Sequence, residues 1–510
     1  MARLTARCVR NLLGAVLWFG IPAGAPHADD GLARRIDQEV EAACADAGTK
    51  PSPVVDDATF LRRVSLDLIG RVPTVAEVRA FLESPEPDRR ARLVDSLLTD
   101  SSHARQMASF WRRTWIPQAD SDSMGHMAND LEDWLARQFS QGQRLDSVVR
   151  DLLTASEVPI IGGSATRTPV GFLLANELKP ELLAGSTARS FLGLNLACAQ
   201  CHDHPFASWS RDQFWELAAF FARPSPNEPS SGQPRIEVAG ASRTVRARPP
   251  DGSQLSWPTS FRPETSRRVL GEWVTRRSNP WFARHAVNQL WTHFFGEGLV
   301  ADFDDPASEE INAHRRLLDD LAQAFSSSGF DVAGLTRSIV LSRSYQRQAI
   351  AIGSPAARTF GCARIRTLTG EQLYESIRAA AGLRLPRDEE TRATDLRERR
   401  RFVSGFQMDR PASDTRTVLQ SLTVMNGTAT LQASDGNHTP TLVALATPFF
   451  STRDQVETLF LATLSRVPRE SELRPIVSYV ERGGADHEVA KALADVFWAL
   501  LNTSEFNTNH

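Results

Sequence analysis

Apolar residues recur at helical spacing over most of this chain, and one proline-rich stretch interrupts that pattern. In the segment 60–69 the apolar side chains fall at i, i+4 and i+8, which places them on one face of a helix. Between residues 223 and 263, eight of the 29 prolines lie within 41 residues. Proline lacks the backbone N–H that a helix interior needs, so the helices stop there. The sequence therefore predicts a mainly α protein, with helical domains at 29–222 and 266–510 joined by a Pro-rich linker at 223–265.

Two local patterns refine this outline. Residues 235–238 and 243–248 alternate between polar and apolar around a Gly-containing turn, which predicts a small β-hairpin inside the linker. Further on, Asn279 is a typical helix N-cap, and Pro280 suits the first helical position. Glycine is favoured just past a helix end. We therefore predict a helix that begins at Pro280 and closes at Gly296.

The pattern R-V-P-x-x-x-E occurs twice, at 71–77 and 466–472, each time after an apolar run of helical period. Proline disfavours helical backbone in the residue before it, so it ends one helix. The glutamate then falls in the first turn of the next helix, where a negative charge is favourable. We interpret the repeat as a shared packing element with no chemistry of its own.

The composition excludes several classes of protein. The chain has 510 residues, 41% of them hydrophobic and five of them cysteine, which does not suit a disordered, collagen-like or disulfide-stapled protein. It has 58 Lys+Arg against 61 Asp+Glu, a formal charge of −3. A protein that coats nucleic acid needs a basic surface to neutralise phosphates, so we expect no nucleic-acid partner.

The first 28 residues have the order of a secretory signal peptide. Basic residues precede an apolar run at 12–21, and small residues follow up to Ala28. The apolar run is shorter than the roughly 20 residues that cross a bilayer, and no later segment is long and apolar enough. We therefore predict a signal peptide at 1–28 and a periplasmic or extracellular protein with no transmembrane segment after cleavage. The alternative is an uncleaved membrane anchor.

One short motif carries chemistry, Cys198-Ala199-Gln200-Cys201-His202, a CxxCH sequence. In c-type cytochromes two such thiols form thioethers with the haem vinyl groups, and the histidine that follows binds the iron. With five Cys and 11 His in 510 positions, chance gives this spacing in roughly one such chain in a thousand. Covalent attachment takes place outside the cytoplasm, in agreement with an export signal. We therefore predict covalent haem c on Cys198 and Cys201, with His202 as the proximal iron ligand.

Three other interpretations of the motif stay open. Cys198, Cys201, His202 and His204 form a candidate zinc set, although four ligands within seven residues crowd a tetrahedral site. A thioredoxin-like redox pair is the second alternative, and the helical surroundings argue against it. A structural disulfide between the two cysteines is the third, since an exported protein meets an oxidising compartment.

The residues after the motif predict its surroundings. Ser210 and Gln213 have capping-box spacing, so a helix begins there. His204 is only two residues from His202, too close to reach the opposite face of the same haem. We expect His204 and Trp209 to lie around the cofactor without binding its iron.

The sixth iron position decides between reaction with a bound ligand and simple electron transfer, and many side chains are available for it. The candidate thioethers and imidazoles are Met107, Met124, Met127, Met408, Met425, His103, His126, His285, His293, His314, His438 and His510. Met124 and His126 share a loop-like segment. His285 and His293 are eight residues apart, which allows them to share one helix face.

Two smaller groups of residues have alternative interpretations. Cys44 and Cys362 either form a disulfide across the two domains or are free buried thiols. Asp302, Asp304 and Asp305 either bind a cation or form a solvated turn, and the solvated turn is the simpler interpretation.

Beyond the motif, the chain resembles a family of large secreted planctomycete cytochrome-c-like proteins, which join two domains of unknown function. The string C-A-Q-C-H-D-H-P-F stands intact from Cys198 to Phe206, and Leu61–Leu68 is similar to the start of the first domain. Residues 279–299 resemble the second domain, and residues 498–510 resemble its terminal signature. The resemblance covers nearly the whole chain after residue 28, and it implies no established reaction.

Three positions depart from the family pattern. Gln289 stands where an arginine usually follows Asn288, and Glu297 stands where arginine is frequent. Arg315 follows His314 where the family has proline. If the absent arginine binds a haem propionate or an anionic substrate in the family, that contact is missing here.

The length of the chain bears on its function. A haem needs a domain of roughly 100 residues, far fewer than the 510 present. We therefore expect an exported haem protein with a redox or electron-transfer role, whose remaining domain serves a redox partner or a polymer or small-molecule substrate. The alternatives are a binding or hydrolytic protein with zinc or a disulfide at the motif, and a helical scaffold. Whether the chain is an enzyme, and how many copies associate, stays open at this point.

Overall fold

The computed structural model describes residues 30–117, 125–156, 169–205, 207–223, 233–258, 263–301, 303, 314–350, 355–383, 389–406 and 417–510. Helices make up about 62% of the chain, and within the described ranges the strands form two short antiparallel pairs. The predicted mainly α class is therefore confirmed. The predicted signal peptide at 1–28 lies outside the described residues.

The region before the linker is a succession of helices. They are α1 (Asp30–Asp46), α2 (Asp57–Ile69), α3 (Val75–Leu82), α4 (Arg89–Thr99), α5 (Ser101–Trp115), α6 (Gly125–Ser140), α7 (Leu145–Thr154), α8 (Gly171–Ala175), α9 (Pro180–Thr187) and α10 (Arg211–Ala218). A π-helical turn, Ala188–Leu192, and two 3-10 turns, Leu196–Gln200 and Ala219–Phe221, complete it. The longest pairing in this region is that of α5 along α6.

The linker contains the predicted hairpin. Strand β1 (Arg235–Glu237) pairs antiparallel with β2 (Thr244–Arg246), and Ile236 lies opposite Val245. Both strands pack against α10, so the hairpin is docked on the first region. The small β-hairpin expected from the sequence is therefore confirmed.

The region after the linker is also helical. Its elements are α11 (Pro263–Val274), α12 (Phe282–Phe295), α13 (Arg315–Ser327), α14 (Val332–Leu341), α15 (Pro355–Arg358), β3 (Arg366–Thr367), α16 (Gly370–Ala380), α17 (Glu389–Ser404), α18 (Val418–Asn426), α19 (Thr428–Ala433), α20 (Pro440–Leu445), α21 (Thr452–Leu464), α22 (Glu470–Glu481), α23 (Val489–Leu501) and β4 (Thr508–Asn509). Strand β4 pairs antiparallel with β3, so residues 508–509 lie beside residues 366–367.

The buried hydrophobic side chains form two large clusters within the described part of the chain. The first joins residues from Ile36 to Phe360 and also Leu461, so helices from both sides of the linker share it. The second joins residues from Leu368 to Phe506 with Leu66 and Val72. Helix α2 contributes to both, because Leu66 packs in the second cluster while its neighbours on other faces pack in the first. Helix α2 therefore lies between the two cores.

Helix α2 carries an acidic side chain, Asp67, that is fully shielded from solvent. One guanidinium nitrogen of Arg366 donates to both carboxylate oxygens of Asp67, at 2.9 and 2.8 Å. The hydroxyl of Tyr345 donates to Oδ2 at 2.7 Å, and the amide of Asn509 donates to Oδ1 at 2.9 Å. A buried charge is tolerated only when it is paired and hydrogen-bonded, and these four bonds meet that requirement.

Two buried arginines on the same helix bind the end of the chain. Arg62 donates to the carbonyls of Glu505 and Phe506, at 3.0 and 2.8 Å. Arg63 donates to the carbonyl of His510 at 3.1 Å. Burial lowers the pKa of Arg62 to about 10, so the guanidinium stays charged at neutral pH. The charged residues of α2 thus join the chain terminus to the interior.

The repeated R-V-P-x-x-x-E pattern forms the same corner twice. Arg71 pairs with Glu77 at 2.8 Å, and Arg466 pairs with Glu472 at 2.9 Å. Each corner follows a residue in the left-handed conformation and turns one helix into the next. Helix α3, after the first corner, packs against α21, which precedes the second. The interpretation as a helix-packing element is therefore confirmed.

The helix predicted from Pro280 begins two residues later than expected. The Asn279 side chain accepts the backbone N–H groups of Trp281, at 2.9 Å, and Phe282, at 3.1 Å. These bonds hold Pro280 and Trp281 in a turn before α12, which starts at Phe282. The predicted end is confirmed, because Gly296 closes α12 with a φ of 80°.

None of the described helices combines the length and the apolar character that crossing a bilayer requires.

We expect Asp67→Ala to lower the free energy of unfolding by about 3–5 kcal/mol, because it leaves the partly buried Arg366 without its anion. Urea unfolding followed by circular dichroism measures the change. Asp88→Ala is the matched control: Asp88 forms an exposed ion pair with Arg92, and its loss should have little effect. Equal effects of the two substitutions would contradict the role of Asp67.

Candidate functional site

The CxxCH motif begins on a short 3-10 turn, Leu196–Gln200, whose buried residues pack on the core. Leu196 and Ala199 are fully buried, whereas Cys198 and Cys201 are exposed free thiols. The buried pair holds the turn against the core and points the other positions outward. The structure therefore presents both sulfur atoms on the surface, where a covalent cofactor can reach them.

The imidazole of His202 is held in one tautomer. Its Nδ1 lies 2.7 Å from the backbone carbonyl of Asp203. A carbonyl only accepts hydrogen bonds, so Nδ1 carries the proton and the lone pair of the neutral ring is on Nε2. Metal-binding histidines commonly have this arrangement, which orients the ring and raises its basicity. His202 is exposed, and its Nε2 is thus prepared to bind a metal.

His204 has the opposite arrangement. Its Nδ1 accepts the backbone N–H of Ala207 at 2.8 Å, which places the proton of the neutral ring on Nε2. Both ring nitrogens are then occupied, so His204 binds a metal only if it gives up this bond. Within the described part of the chain, no three His, Cys, Asp or Glu side chains are grouped as metal ligands. The four-residue zinc set therefore lacks support from the geometry.

The loop after the motif is closed by short hydrogen bonds. The backbone N–H of His204 donates to the carbonyl of Trp209 at 2.8 Å. The carboxylate of Asp203 accepts the N–H of Arg211, the first residue of α10, at 2.8 Å. The predicted capping box of Ser210 with Gln213 is present at the start of the same helix. The loop that carries His202 is thus fixed to the helix that follows it.

Helix α10 also holds the motif turn directly. The indole N–H of Trp215 donates to the carbonyl of Gln200 at 3.1 Å. Trp215 and its neighbour Phe214 are buried in the first core. Sequence patterns alone did not indicate that Trp215 bonds to the motif, because the bond depends on how the turn folds back.

Trp209 connects the loop to the region after the linker. Its ring lies edge-on to Trp281, with centroids 6.1 Å apart, and Trp281 in turn contacts Trp273 at 6.2 Å. Trp209 is half-buried, so one part of its indole faces the loop surface. The loop after the motif therefore packs on an aromatic side chain from the region after the linker.

Most candidates for the sixth iron position have other described partners or are packed elsewhere. Three buried or half-buried histidines lie within hydrogen-bond distance of a backbone carbonyl. His103 lies near the carbonyl of Leu68, His293 near that of Asp67, and His314 near that of Arg358. Met107 is buried in the first core, and exposed His438 pairs with Asp435. Met127 packs against the first core, and Met425 and His510 have no described contact with the motif. Met124, Met408 and the side chain of His126 lie outside the described residues.

His285 is the candidate imidazole with a described contact to the segment before the motif. Gly193, five residues before Cys198, has a φ of 72°. A Cβ on Gly193 would lie 2.5 Å from Nδ1 of His285, so only glycine fits against the buried imidazole. The packing of α12 against the segment before the motif depends on the close approach of Gly193 to His285.

The two remaining cysteines are buried and form no disulfide in the structure. The sulfur of Cys44 lies 3.1 Å from Oγ1 of Thr359, and it packs against Gly361, the neighbour of Cys362. Of the two alternatives from the sequence, the structure has the buried thiols without a disulfide. The acidic residues Asp302, Asp304 and Asp305 lie outside the described residues, as does Phe206.

Buried histidines make the stability of the protein dependent on pH. Burial lowers the pKa of His285 and of His293 to about 4, from an ordinary value of about 6.5. A histidine whose pKa is lower in the folded state than in the unfolded state stabilises the fold fully above pH 6.5. This contribution is lost as the pH falls toward 4. His103, His314 and His510 shift in the same direction.

We expect the free energy of unfolding to fall between pH 6.5 and 5, by about 1.4 kcal/mol per pH unit for each of His285 and His293. Urea titrations at several pH values measure the slope. Single His285→Gln and His293→Gln variants should each flatten it, whereas replacing the exposed His438 with Gln should not. A slope that is unchanged in both the His285→Gln and the His293→Gln variant would contradict the role of these two histidines.

Glu371 and Glu472, with pKa values of about 2, affect stability only at a pH below this range.

Two family models match the chain. Residues 35–225, which include the motif, match a family described as Protein of unknown function (DUF1549). Residues 266–401 match a second family, described as Protein of unknown function (DUF1553). No curated protein and no solved structure matches the chain at a significant level. The expectation of two adjoining domains of unknown function is therefore confirmed.

Proposed function

We propose that the chain is an exported c-type haem protein with a redox or electron-transfer role. Cys198 and Cys201 hold the haem by thioether bonds, and Nε2 of His202 binds its iron. The observation that carries this proposal is the bond from His202 to the carbonyl of Asp203, which leaves the Nε2 lone pair available beside two exposed thiols. When bound, the haem supplies reversible one-electron chemistry.

The residues around the motif have separate tasks in this proposal. The carbonyl of Asp203 keeps His202 in the tautomer that binds iron. Leu196 and Ala199 are buried and hold in place the turn that separates the two thiols. Trp209 is half-buried in the same loop and packs on Trp281, so it holds the loop against the region after the linker.

The tautomer of His204 favours haem over zinc. A zinc site of two cysteines and two histidines needs a lone pair from His204, and the N–H of Ala207 already occupies the one on Nδ1. A c-type haem needs only Cys198, Cys201 and His202 from this segment. His204 then stays in the loop as a structural residue, beside the cofactor and not on its iron.

Export and partners complete the proposal. The signal-peptide pattern at 1–28 provides the route to the compartment in which haem is attached, and the resemblance to secreted planctomycete cytochrome-c-like proteins agrees with it. The region from 266 onward is larger than a haem requires. We assign it to a redox partner or to a polymer or small-molecule substrate.

We expect the full-length protein, expressed with cytochrome maturation machinery, to contain one covalent haem in a pyridine haemochrome spectrum. Cys198→Ser/Cys201→Ser should abolish covalent attachment, because both thioether sulfurs are gone. His202→Ala should change the iron absorption spectrum. His438→Ala is the matched control and should leave both readouts unchanged, since His438 is exposed and paired with Asp435.

Two results would overturn the haem assignment. Wild-type protein that contains no covalent haem under these conditions would exclude it. One equivalent of zinc and no iron, measured by elemental analysis, would favour the binding or hydrolytic alternative. Thiol titration of the same sample distinguishes free thiols from a Cys198–Cys201 disulfide.

A further inference from the structure

Helix α18 has apolar side chains on the side that faces solvent. Its buried side carries Gln420 and Val424. On the opposite side, Val418 is 76% exposed, Leu419 73%, Leu422 45% and Met425 39%. At about 100° per residue, these four side chains fall within an arc of about 120°. A surface helix normally turns polar residues to solvent, so the apolar outer side of α18 lacks a partner within the described chain.

Exposed apolar residues continue on the segments that follow α18. They are Leu431 on α19, Val443 on α20, and Phe449 and Phe450 just after α20. Helix α18 contacts α19, and α19 and α20 both pack against α23. The indole of Trp498 on α23 also donates to the carbonyl of Met425 at 3.1 Å. Helix α23 thus supports all three short helices.

The same segment is almost free of charge. Between residues 417 and 452, Asp435 is the only Asp, Glu, Lys or Arg, whereas 23% of the whole chain is charged. Depletion of charged residues is the compositional mark of an interface core. Solvent-facing helices elsewhere in the chain are rich in charge, as the sequence of α17 shows. The segment therefore differs from an ordinary surface in both polarity and charge.

We propose that this apolar surface, formed by Val418, Leu419, Leu422, Met425, Leu431, Val443, Phe449 and Phe450, is the contact between two copies of the chain. In a two-fold dimer the same surface faces itself, and an uncharged surface does so without like-charge repulsion. A lipid surface is a poorer match, since peripheral membrane helices carry Lys and Arg beside their apolar residues. Residues 417–452 contain neither.

The exposed area is large enough for such a contact. The eight fractional exposures together are equivalent to about four and a half fully exposed apolar side chains. At about 150–250 Å² for an aromatic side chain and somewhat less for an aliphatic one, this amounts to roughly 800 Å² per copy. A stable protein interface of standard size buries about 800 Å² on each partner. The eight residues together therefore supply an area of the size that one partner of a two-fold dimer buries.

Sedimentation equilibrium of the full-length protein tests the proposal. We expect a mass of two chains at micromolar concentration. Leu419→Asp should weaken the association at least tenfold, because it buries a charge within an apolar contact. Val467→Asp is the matched control: Val467 is 60% exposed and lies outside the apolar surface, so this variant should remain a dimer.

Helix content and melting temperature, measured on each variant, establish that the variants are folded, and Val418→Asp provides a second variant at a position that is 76% exposed. A wild-type protein that is monomeric at tens of micromolar would overturn the proposal. So would Leu419→Asp and Val418→Asp variants that both remain dimers, or a Val467→Asp control that becomes monomeric. A monomeric wild type that sediments with phosphatidylcholine vesicles would assign the surface to lipid instead.

Discussion

The buried carboxylate of Asp67 is the interaction on which the rest of the structure depends. Its partners Tyr345, Arg366 and Asn509 lie 278, 299 and 442 residues away in sequence. A charge in the protein interior is costly unless it is paired and hydrogen-bonded, so the burial of α2 depends on segments from distant parts of the sequence. Contacts of this sequence separation are also slow to form, because a long loop must close before any of them is made.

This constraint changes how the two matched domains are understood. Asp67 lies in the first matched range, Tyr345 and Arg366 lie in the second, and Asn509 lies beyond both. The first hydrophobic core likewise includes helices from both sides of the linker. The two matched ranges therefore share one interior, in which Trp281 of the second range contacts Trp209 of the first, in the loop after the CxxCH motif.

Local patterns predicted the local features well. The hairpin, the Ser210–Gln213 capping box and the end of α12 at Gly296 follow from spacing alone. The burial of Arg62, Arg63 and Asp67 could not be predicted in this way, because helical periodicity assigns charged residues to the solvent side and their partners are hundreds of residues distant. The CxxCH motif was visible from its spacing, but the tautomer of His202 depends on the backbone conformation at Asp203.

The contacts of Arg62 and Arg63 have a consequence for biosynthesis. Arg62 donates to the carbonyls of Thr463 and Phe506, and Arg63 donates to those of Tyr345 and His510. Every one of these acceptors lies at least 282 residues after its arginine. The ribosome therefore releases α2 long before the carbonyls that accept from its guanidinium groups. Until they emerge, water must solvate these charges, which opposes the burial of α2 in the nascent chain.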